Sequence, residues 1–227
     1  MTDFFIHRLV NRPVTSNCYL ITLPVSDFCL VIDPGTEDCS ELLKFLQERE
    51  WKPEYIIFTH EHVDHIIGAQ TLQQHYPQSR ILCSSNCATY MQLSKYNLTR
   101  MTEQWTERTS MPEANIRLED IGYRMNWQGI DIRFYPAEGH SKGSIYFFIG
   151  DHLFTGDTLI KGYRTTTQLP GASREDLIAT FRKMLEITPR NITVYSGHFE
   201  PFCLQEAVDE ITEQIDFFEK KISQKRK

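Results

Sequence analysis

Residues 59–65 carry the densest set of metal-binding side chains in the sequence. The segment supplies three imidazoles and two carboxylates, from His60, Glu61, His62, Asp64 and His65. Imidazole and carboxylate donors without a thiolate suit zinc, and also iron or manganese. A histidine-rich tag is the alternative interpretation, but a tag would lie at a terminus and would not follow an apolar run such as residues 55–58. The segment therefore predicts a metal site.

The elements around this segment predict a loop between a buried strand and a helix. The apolar run 55–58 is typical of a buried strand, and a helix is expected over about 68–75, with Leu72 on its buried side. A strand-to-helix loop on a rigid scaffold can hold several side chains around one point. The metal-binding side chains are therefore expected to converge.

Spacing within the loop favours two ions. His60 and His62, two residues apart, can point the same way from an extended segment and bind one ion. Asp64 and His65 follow the turn and are positioned for a second ion. Glu61 alternates away from both histidines, so we predict a solvated carboxylate there.

Three further ligands are predicted just past apolar strands. His140, Asp157 and His198 each follow a glycine that comes shortly after such a strand. Glycine lets the backbone turn sharply and approach a site closely. Together with residues 60–65 this makes five histidines and two aspartates, a set that suits two metals bridged by one carboxylate, with positions left for water and substrate. The remaining histidines, His7, His75 and His152, are predicted to be ordinary surface or core residues.

Composition and charge exclude several classes of protein. The chain has 227 residues, a formal net charge of −6 and a pI of about 5.8, with both signs of charge interspersed. This balance argues against nucleic-acid or anionic-membrane binding. No apolar run approaches the ~20 residues of a membrane span, and residues 1–13 lack the pattern of a secretion signal. We expect one domain over residues 1–227, in the cytoplasm, acting on a small-molecule substrate; the oligomeric state is left open.

Strands and helices alternate after an all-β opening. Strands are predicted over residues 4–9, 18–23, 29–32, 55–58, 80–83, 123–127, 130–135, 144–149, 152–155 and 192–195. Helices are predicted from a cap at Thr36 or Asp38 to about residue 48, over 86–105, from a cap at Ser173 to 187, and from about 204. Residues 84–126 are irregular and polar in part, and we predict an insertion or flap near the site there.

The motifs resemble those of the metallo-β-lactamase-fold hydrolases, and within them the glyoxalase II-like branch. They cover nearly the whole chain, namely Asp33-Pro34-Gly35, the H-x-H-x-D-H loop, Gly139-His140, residues 153–159, residues 169–171 and Gly197-His198. The resemblance implies an α/β fold, an αββα sandwich of two mixed sheets face to face with helices on the outer faces. It also implies that one metal is held by His60, His62 and His140, that the other is held by Asp64, His65 and His198, and that Asp157 bridges them. Asp33 and Thr59 would lie behind the ligands and orient them.

Departures from the relatives leave the substrate open. True metallo-β-lactamases have cysteine or no ligand where this chain has Asp157, which argues against β-lactam hydrolysis. The glutathione-binding segment of glyoxalase II is matched poorly by residues 161–165, so Lys161, Tyr163 and Arg164 are only candidates for substrate binding. The Arg-Thr-Asp of persulfide dioxygenases is also absent, since residues 166–168 are Thr-Thr-Gln.

The predicted ligand set favours metal-assisted hydrolysis. Two divalent ions, most simply Zn²⁺ with iron or manganese as alternatives, make hydroxide available at neutral pH, and Asp64 could orient it and take up its proton. We therefore expect hydrolysis of a thioester, ester or lactone. The rivals are an iron-dependent, persulfide dioxygenase-like oxidoreductase and a metallo-nuclease or phosphodiesterase. A purely structural zinc site needs only four protein ligands, fewer than the set predicted here.

Overall fold

Two six-stranded β-sheets face each other in the computed structural model, which describes residues 3–102, 110–119 and 122–225. The strands of the first sheet lie side by side in chain order: β1 (Phe5–Val10), β2 (Asn17–Leu23), β3 (Ser26–Ile32), β4 (Lys52–Ile57), β5 (Arg80–Ser84) and β6 (Ile116–Leu118). Strands β1 to β3 pair antiparallel, whereas β3 to β6 pair in parallel. The first sheet is therefore mixed.

The second sheet is mixed as well. Its strands also lie in chain order: β7 (Tyr123–Trp127), β8 (Ile130–Pro136), β9 (Ile145–Ile149), β10 (His152–Gly156), β11 (Thr193–Ser196) and β12 (Phe202–Cys203). Only β10 and β11 pair in parallel, and the other neighbours are antiparallel. The parallel pair is joined by a long crossover that contains a helix, as parallel strands require.

Helices cover the outer faces of both sheets. They are α1 (Ser40–Gln47), α2 (Val63–Ile66), α3 (Ala69–His75), α4 (Ser85–Tyr90), α5 (Arg174–Ile187) and α6 (Val208–Lys225), with two 3₁₀ turns at Thr99–Met101 and Leu204–Ala207. One apolar core lies between the first sheet and α1, α3 and α4, and another between the second sheet and α5 and α6. A third lies between the sheets. These layers confirm the predicted αββα sandwich.

Strand β2 shows how the sequence builds these layers. All seven of its residues are buried. Successive strand side chains point to opposite faces, so Leu20 enters the core beneath the helices while Tyr19 and Ile21 enter the core between the sheets. A strand covered on both faces must be apolar at nearly every position, which is what the sequence provides.

The two sheets are joined by backbone hydrogen bonds at one edge. Ile145 at the start of β9 donates to the carbonyl of Thr59 after β4, with N and O 2.8 Å apart. Asn17 at the start of β2 donates to the carbonyl of Gly197 after β11, at 2.7 Å. The loops that leave several strands are therefore held together at this edge, where the predicted ligands lie.

One predicted helix boundary was wrong, because a side-chain hydrogen bond supports a turn where the helix was expected to continue. Helix α1 begins after Cys39, and of the two predicted caps Asp38 accepts from the backbone amide of Ser40 at 3.1 Å, whereas Thr36 Oγ1 accepts from the backbone of Arg12 at 2.9 Å. The helix predicted over 86–105 ends at Tyr90, and residues 103–105 lie outside the described part. Asn97 donates to the carbonyl of Met91 at 2.6 Å and so supports a turn. The cap at Ser173 is confirmed, since its hydroxyl accepts from the backbone of Asp176.

Two short strands were missed, and one lies inside the range predicted as an insertion. β6 has three residues and β12 has two, too few to show a period of two. β6 extends the first sheet by pairing in parallel with β5. In the same range, the carbonyl of Asn97 accepts from the backbone of Val63, at 2.9 Å, and so lies against residues 59–65. A flap role for this range stays a prediction.

None of the helices in the described residues is long and apolar enough to cross a membrane.

The core between the sheets makes a first testable prediction. Phe147 is fully buried and packs against Phe154, with ring centroids 5.3 Å apart. Phe147→Ala should lower the free energy of unfolding by about 3–5 kcal/mol, because it removes buried apolar contacts and leaves a cavity. Urea denaturation followed by circular dichroism measures this change. The matched control is Phe5→Ala, since Phe5 is exposed and should change stability by about 0.5 kcal/mol or less. Equal losses in both variants would contradict the assignment of the core.

Candidate metal centre

The first group of donors is formed by three histidines from two loops. His60 and His62 follow β4, and His140 follows β8. His62 Nδ1 lies 3.0 Å from His60 Nε2 and 3.0 Å from His140 Nε2. All three rings are buried. Three ring nitrogens that converge this closely can serve as ligands of one cation.

The second group combines a carboxylate with two histidines. Asp64 Oδ2 lies 3.5 Å from His65 Nε2 and 3.6 Å from His198 Nε2, and these three residues form another set of converging donors. His65 is fully buried, whereas 18% of the side-chain surface of Asp64 and 17% of that of His198 is exposed to solvent. This side of the centre is therefore open to solvent.

Asp157 lies between the two groups. Its Oδ2 is 3.8 Å from His140 Nε2 in the first group and 3.4 Å from His198 Nε2 in the second. Its Oδ1 is 3.5 Å from His65 Nε2. One carboxylate thus faces donors of both groups, which is the position that a bridging ligand needs.

Asp33 and Thr59 orient the donors from behind. The buried Asp33 carboxylate accepts from the backbone and the hydroxyl of Thr59, at 2.8 and 2.6 Å, and lies 2.9 Å from His65 Nδ1. Because the Thr59 proton is given to Asp33, its oxygen accepts from His60 Nδ1 at 3.0 Å. The Nε2 atoms of His60 and His65 are thereby directed toward the donor groups, as is usual when histidine binds a metal.

The charge states of the first group suit metal binding. Burial, together with neighbouring His65 and His62, holds the pKa of His60 well below its ordinary value. Burial and the adjacent His140 lower the pKa of His62 to about 3, and burial lowers that of His140 as well. The three imidazoles are therefore neutral at pH 7, the form that binds a metal.

The second group is dominated by its carboxylates. Burial alone would lower the pKa of His65, but Asp64 and Asp157 raise it well above its ordinary value. Burial is likewise outweighed at His198, where hydrogen bonds to the same carboxylates raise the pKa to about 9. Burial opposes ionisation of Asp157, yet His65 and His198 hold the pKa of that carboxyl well below its usual range. The two carboxylates thus supply the negative charge that a cation would balance.

Unpaired buried atoms test whether a metal fits this set. Among the described residues, His62 Nε2, His65 Nε2, His140 Nδ1 and Asp157 Oδ1 are buried without a hydrogen-bond partner. Two of them, His65 Nε2 and Asp157 Oδ1, face each other inside the centre. Buried polar atoms are normally satisfied, so a ligand between them would remove an energetic cost. The donor set of nitrogen and oxygen fits divalent zinc, iron or manganese.

Two glycines permit the close packing of the loops. A Cβ at Gly197 would lie 2.0 Å from Asp157 Oδ1, so any side chain there would displace the carboxylate. Gly156 has φ +50°, and a Cβ would lie 2.5 Å from Thr59 Oγ1. The glycines predicted to permit close approach do so at these two positions, one of them by its left-handed backbone.

The prediction for Glu61 was wrong. Its side chain is fully buried rather than solvated. Oε2 accepts from the hydroxyl of Ser141 at 2.7 Å and from the backbone of Gly143 at 3.1 Å. Burial raises the pKa of this carboxyl, and the hydrogen bonds oppose that rise. The alternation of side-chain directions along the loop did not predict the exposure of Glu61, because the side of the loop that faces away from the donors is covered by the loop after His140.

The three candidates for substrate binding lie in different surroundings. Tyr163 stacks on Phe199, the residue after His198, with ring centroids 4.5 Å apart. Lys161 pairs with Glu206, and the Arg164 guanidinium lies 3.7 Å from the ring centre of Phe217.

Other residues near the centre were not predicted from the sequence. Ser16 Oγ donates to the carbonyl of Asp64 at 2.5 Å, and His198 Nδ1 lies 3.2 Å from the carbonyl of Thr15. Both belong to the loop before β2. They contact the centre through ordinary polar groups, so no motif in the sequence could have indicated them.

Comparison with protein families identifies the class to which this fold and donor set belong. Residues 11–198 match the model of the metallo-beta-lactamase superfamily. The chain therefore belongs to this superfamily, and the resemblance inferred from its motifs is confirmed.

Two curated relatives are named as hydrolases. A hydroxyacylglutathione hydrolase from Erwinia tasmaniensis is 31% identical over 192 residues, which cover 84% of this chain and 65% of that protein. A protein from Bacillus velezensis named probable polyketide biosynthesis zinc-dependent hydrolase BaeB is 30% identical over 181 residues, covering 80% and 72%. The chain thus spans less than two thirds of the length of the first relative.

Solved structures share the fold along almost the whole chain. The BLEG-1 B3 metallo-beta-lactamase has a TM-score of 0.81 at 20% identity, covering 92% of this chain and 99% of that one. ETHE1 from Myxococcus xanthus has a TM-score of 0.74 at 21% identity, covering 95% and 90%. TTHA1623 in a di-iron-bound form has a TM-score of 0.69 at 25% identity, covering 89% and 96%.

The buried Glu61 makes a second testable prediction. Glu61→Ala should lower the free energy of unfolding by about 1–3 kcal/mol, because the Ser141 hydroxyl and the Gly143 amide lose their acceptor inside the protein. Thermal and urea unfolding measure the change.

The matched control is Glu41→Ala, since Glu41 is exposed on α1 and should change stability by about 0.5 kcal/mol or less. If the two variants are equally stable, Glu61 does not hold the loop after His140.

Proposed function

We propose that the chain is a metal-dependent hydrolase of a thioester, ester or lactone, similar to glyoxalase II, and that residues 1–227 act as one domain. The observation that carries this proposal is the placement of Asp157 between two donor groups, one buried and one partly open to solvent. A site of this kind has more donors than a structural metal needs and leaves an accessible side for a substrate.

In this proposal the first metal is held by His60, His62 and His140, the second by Asp64, His65 and His198, and Asp157 is shared. When bound, two divalent ions polarise a carbonyl and lower the pKa of water from about 15.7 toward about 7. Zinc is favoured, because the Bacillus velezensis relative is named as zinc-dependent. Iron is the alternative, because the solved structure of TTHA1623 holds two iron ions.

The residues of the chain have distinct roles in the proposed reaction. Asp64 holds the proton released from the attacking water, since its Oδ2 lies among the donors of the second group and its side chain is partly exposed. Asp33 and Thr59 keep His60 and His65 in the orientation that presents Nε2 to the site. No serine or cysteine nucleophile is required.

Sequence similarity favours hydrolysis over the rival activities. The two curated relatives at 30–31% identity are named as hydrolases, whereas the likeness to ETHE1, at 21% identity, concerns the fold. The net charge of −6 also disfavours a nuclease. Oxygen consumption by a protein holding one iron per chain would instead support the dioxygenase.

Metal analysis of histidine variants makes a third prediction. The protein should bind two zinc ions per chain, while His140→Ala and His198→Ala should each bind one, because they are assigned to different ions. The double variant should bind none tightly. Equilibrium dialysis followed by elemental analysis gives these stoichiometries.

The control is His75→Ala, since His75 is exposed on α3, and it should keep both ions. A double variant that keeps one ion would show that His140 and His198 serve the same metal, and the assignment would be wrong.

Replacement of Asp64 makes a fourth prediction. Asp64→Asn should lower turnover at least about 10²-fold, because the amide is nearly isosteric but cannot accept the proton. The first donor group is unchanged, so the protein should stay folded and keep at least one metal ion. Turnover on a panel of thioesters and lactones is measured beside metal content and circular dichroism.

The exposed Asp151, in the turn between β9 and β10, provides the control, and Asp151→Asn should retain full turnover. Near wild-type turnover in a folded, metal-loaded Asp64→Asn protein would refute the proposed role.

A further inference from the structure

Two exposed aromatic rings form a stack at the open side of the centre. Tyr163 and Phe199 lie with ring centroids 4.5 Å apart and an interplanar angle of 6°. Their exposed fractions are 54% and 49%, so much of each ring remains available to a ligand. Large aromatic residues usually bury more of their surface than this, and a pair exposed together is an apolar platform.

The stack lies directly beside the partly open donor group. Phe199 follows His198 in the chain, and the centroids of these two rings are 6.2 Å apart. His198 belongs to the group with Asp64, whose side chain is partly exposed. A molecule that reaches the centre from its solvent side therefore meets the Tyr163–Phe199 stack.

The backbone beneath both rings is held by other elements. The carbonyl of Phe199 accepts from Arg8 of β1 at 2.9 Å and from Asn17 of β2 at 2.7 Å. Phe199 has a φ of 62°, a left-handed conformation that is costly for a bulky residue and persists only where its surroundings impose it. The carbonyl of Tyr163 accepts from Gln214 of α6 at 3.3 Å. The rings are thus positioned before any ligand binds.

Two cations near the stack are already paired with glutamates, and the guanidinium of Arg164 lies on the ring of Phe217. Lys161 pairs with Glu206, and Arg8 pairs with Glu200. The backbone amide of Gly162 donates to Glu210 at 2.7 Å. A ligand carrying carboxylates, as glutathione does, would have to compete with these pairs, whereas an uncharged ring would leave them intact.

We propose that the Tyr163–Phe199 stack binds an uncharged, flat apolar part of the substrate, such as an aryl group on the acyl or leaving-group side. This inference rests on the proposed hydrolase function and narrows its substrates to aryl-containing thioesters, esters or lactones. Stacking against a positioned aromatic pair supplies the affinity, while the donor groups act on the carbonyl.

Binding of an inert probe tests the stack separately from hydrolysis. The probe is 2-naphthylacetamide, which carries an aryl group and no charge, added to metal-loaded protein and followed by calorimetry; butyramide is the alkyl comparison. The Kd of 2-naphthylacetamide should rise about 10-fold in Tyr163→Ala and in Phe199→Leu. Tyr163→Phe keeps the ring and should restore binding. Tyr123→Ala, at an exposed tyrosine of β7, should bind as wild type does.

Kinetics on matched thioesters provide the second readout. For the 2-naphthylacetyl thioester of N-acetylcysteamine, Tyr163→Ala should raise KM about 10-fold with little change in kcat, because the ring contributes binding and no chemistry. The butyryl thioester should be affected much less.

The two readouts separate failure of the inference from failure of the proposed function. Ring-dependent probe binding without hydrolysis of any thioester, ester or lactone would support the stack and reject the hydrolase. Probe binding that is equal in all variants would overturn the stack, even if thioesters are hydrolysed. The inference would also be overturned if the KM for a glutathione thioester is lower than that for the naphthyl thioester and neither KM changes in Tyr163→Ala.

Discussion

The buried carboxylate of Asp33 is the contact on which the centre depends. It lies at the end of β3 in a left-handed conformation, with φ 53°, and accepts from both donors of Thr59 while contacting His65 Nδ1. A carboxylate at this depth is costly unless it is fully hydrogen-bonded, so its partners cannot move without leaving a buried charge unsatisfied. That cost keeps the loop after β4 rigid, and through Thr59 it also directs His60.

The centre also connects the two sheets. Donors come from the loop and short helix α2 after β4 of the first sheet, and from the segments that follow β8, β10 and β11 of the second. Glu61 ties the first loop to the loop after β8 through a buried hydrogen bond, while Gly197 allows the loop after β11 to approach Asp157. The same contacts therefore stabilise the sandwich and place the donors, which couples folding to the geometry of the site.

Burial and exposure divide the centre into two kinds of surroundings. The three neutral histidines of the first group are enclosed, whereas Asp64 and His198 reach solvent. On the exposed side, Arg8 and Lys161 are each paired with a glutamate and the Tyr163–Phe199 stack presents an apolar surface. Neutral donors could hold a cation without competing protons, and the apolar stack is the surface to which the proposed aryl group would bind.

The sequence by itself indicated the order of strands and helices and the seven donor residues, because apolar strands, a dense H-x-H-x-D-H loop and glycine-ligand pairs after strands are local patterns. The layered sandwich followed from the resemblance of these motifs to those of a known family. The apolar composition of β2 is likewise visible in the sequence, whereas its division between two cores is not. Contacts between distant segments were decided only by the tertiary structure. Glu61 is separated by 80 residues from the Ser141 hydroxyl that covers it, and Tyr163 meets Phe199 through turns whose positions depend on β1, β2 and α6. Local periodicity reports which way a side chain leaves its own strand or loop, but what it meets there depends on packing between elements far apart in the chain.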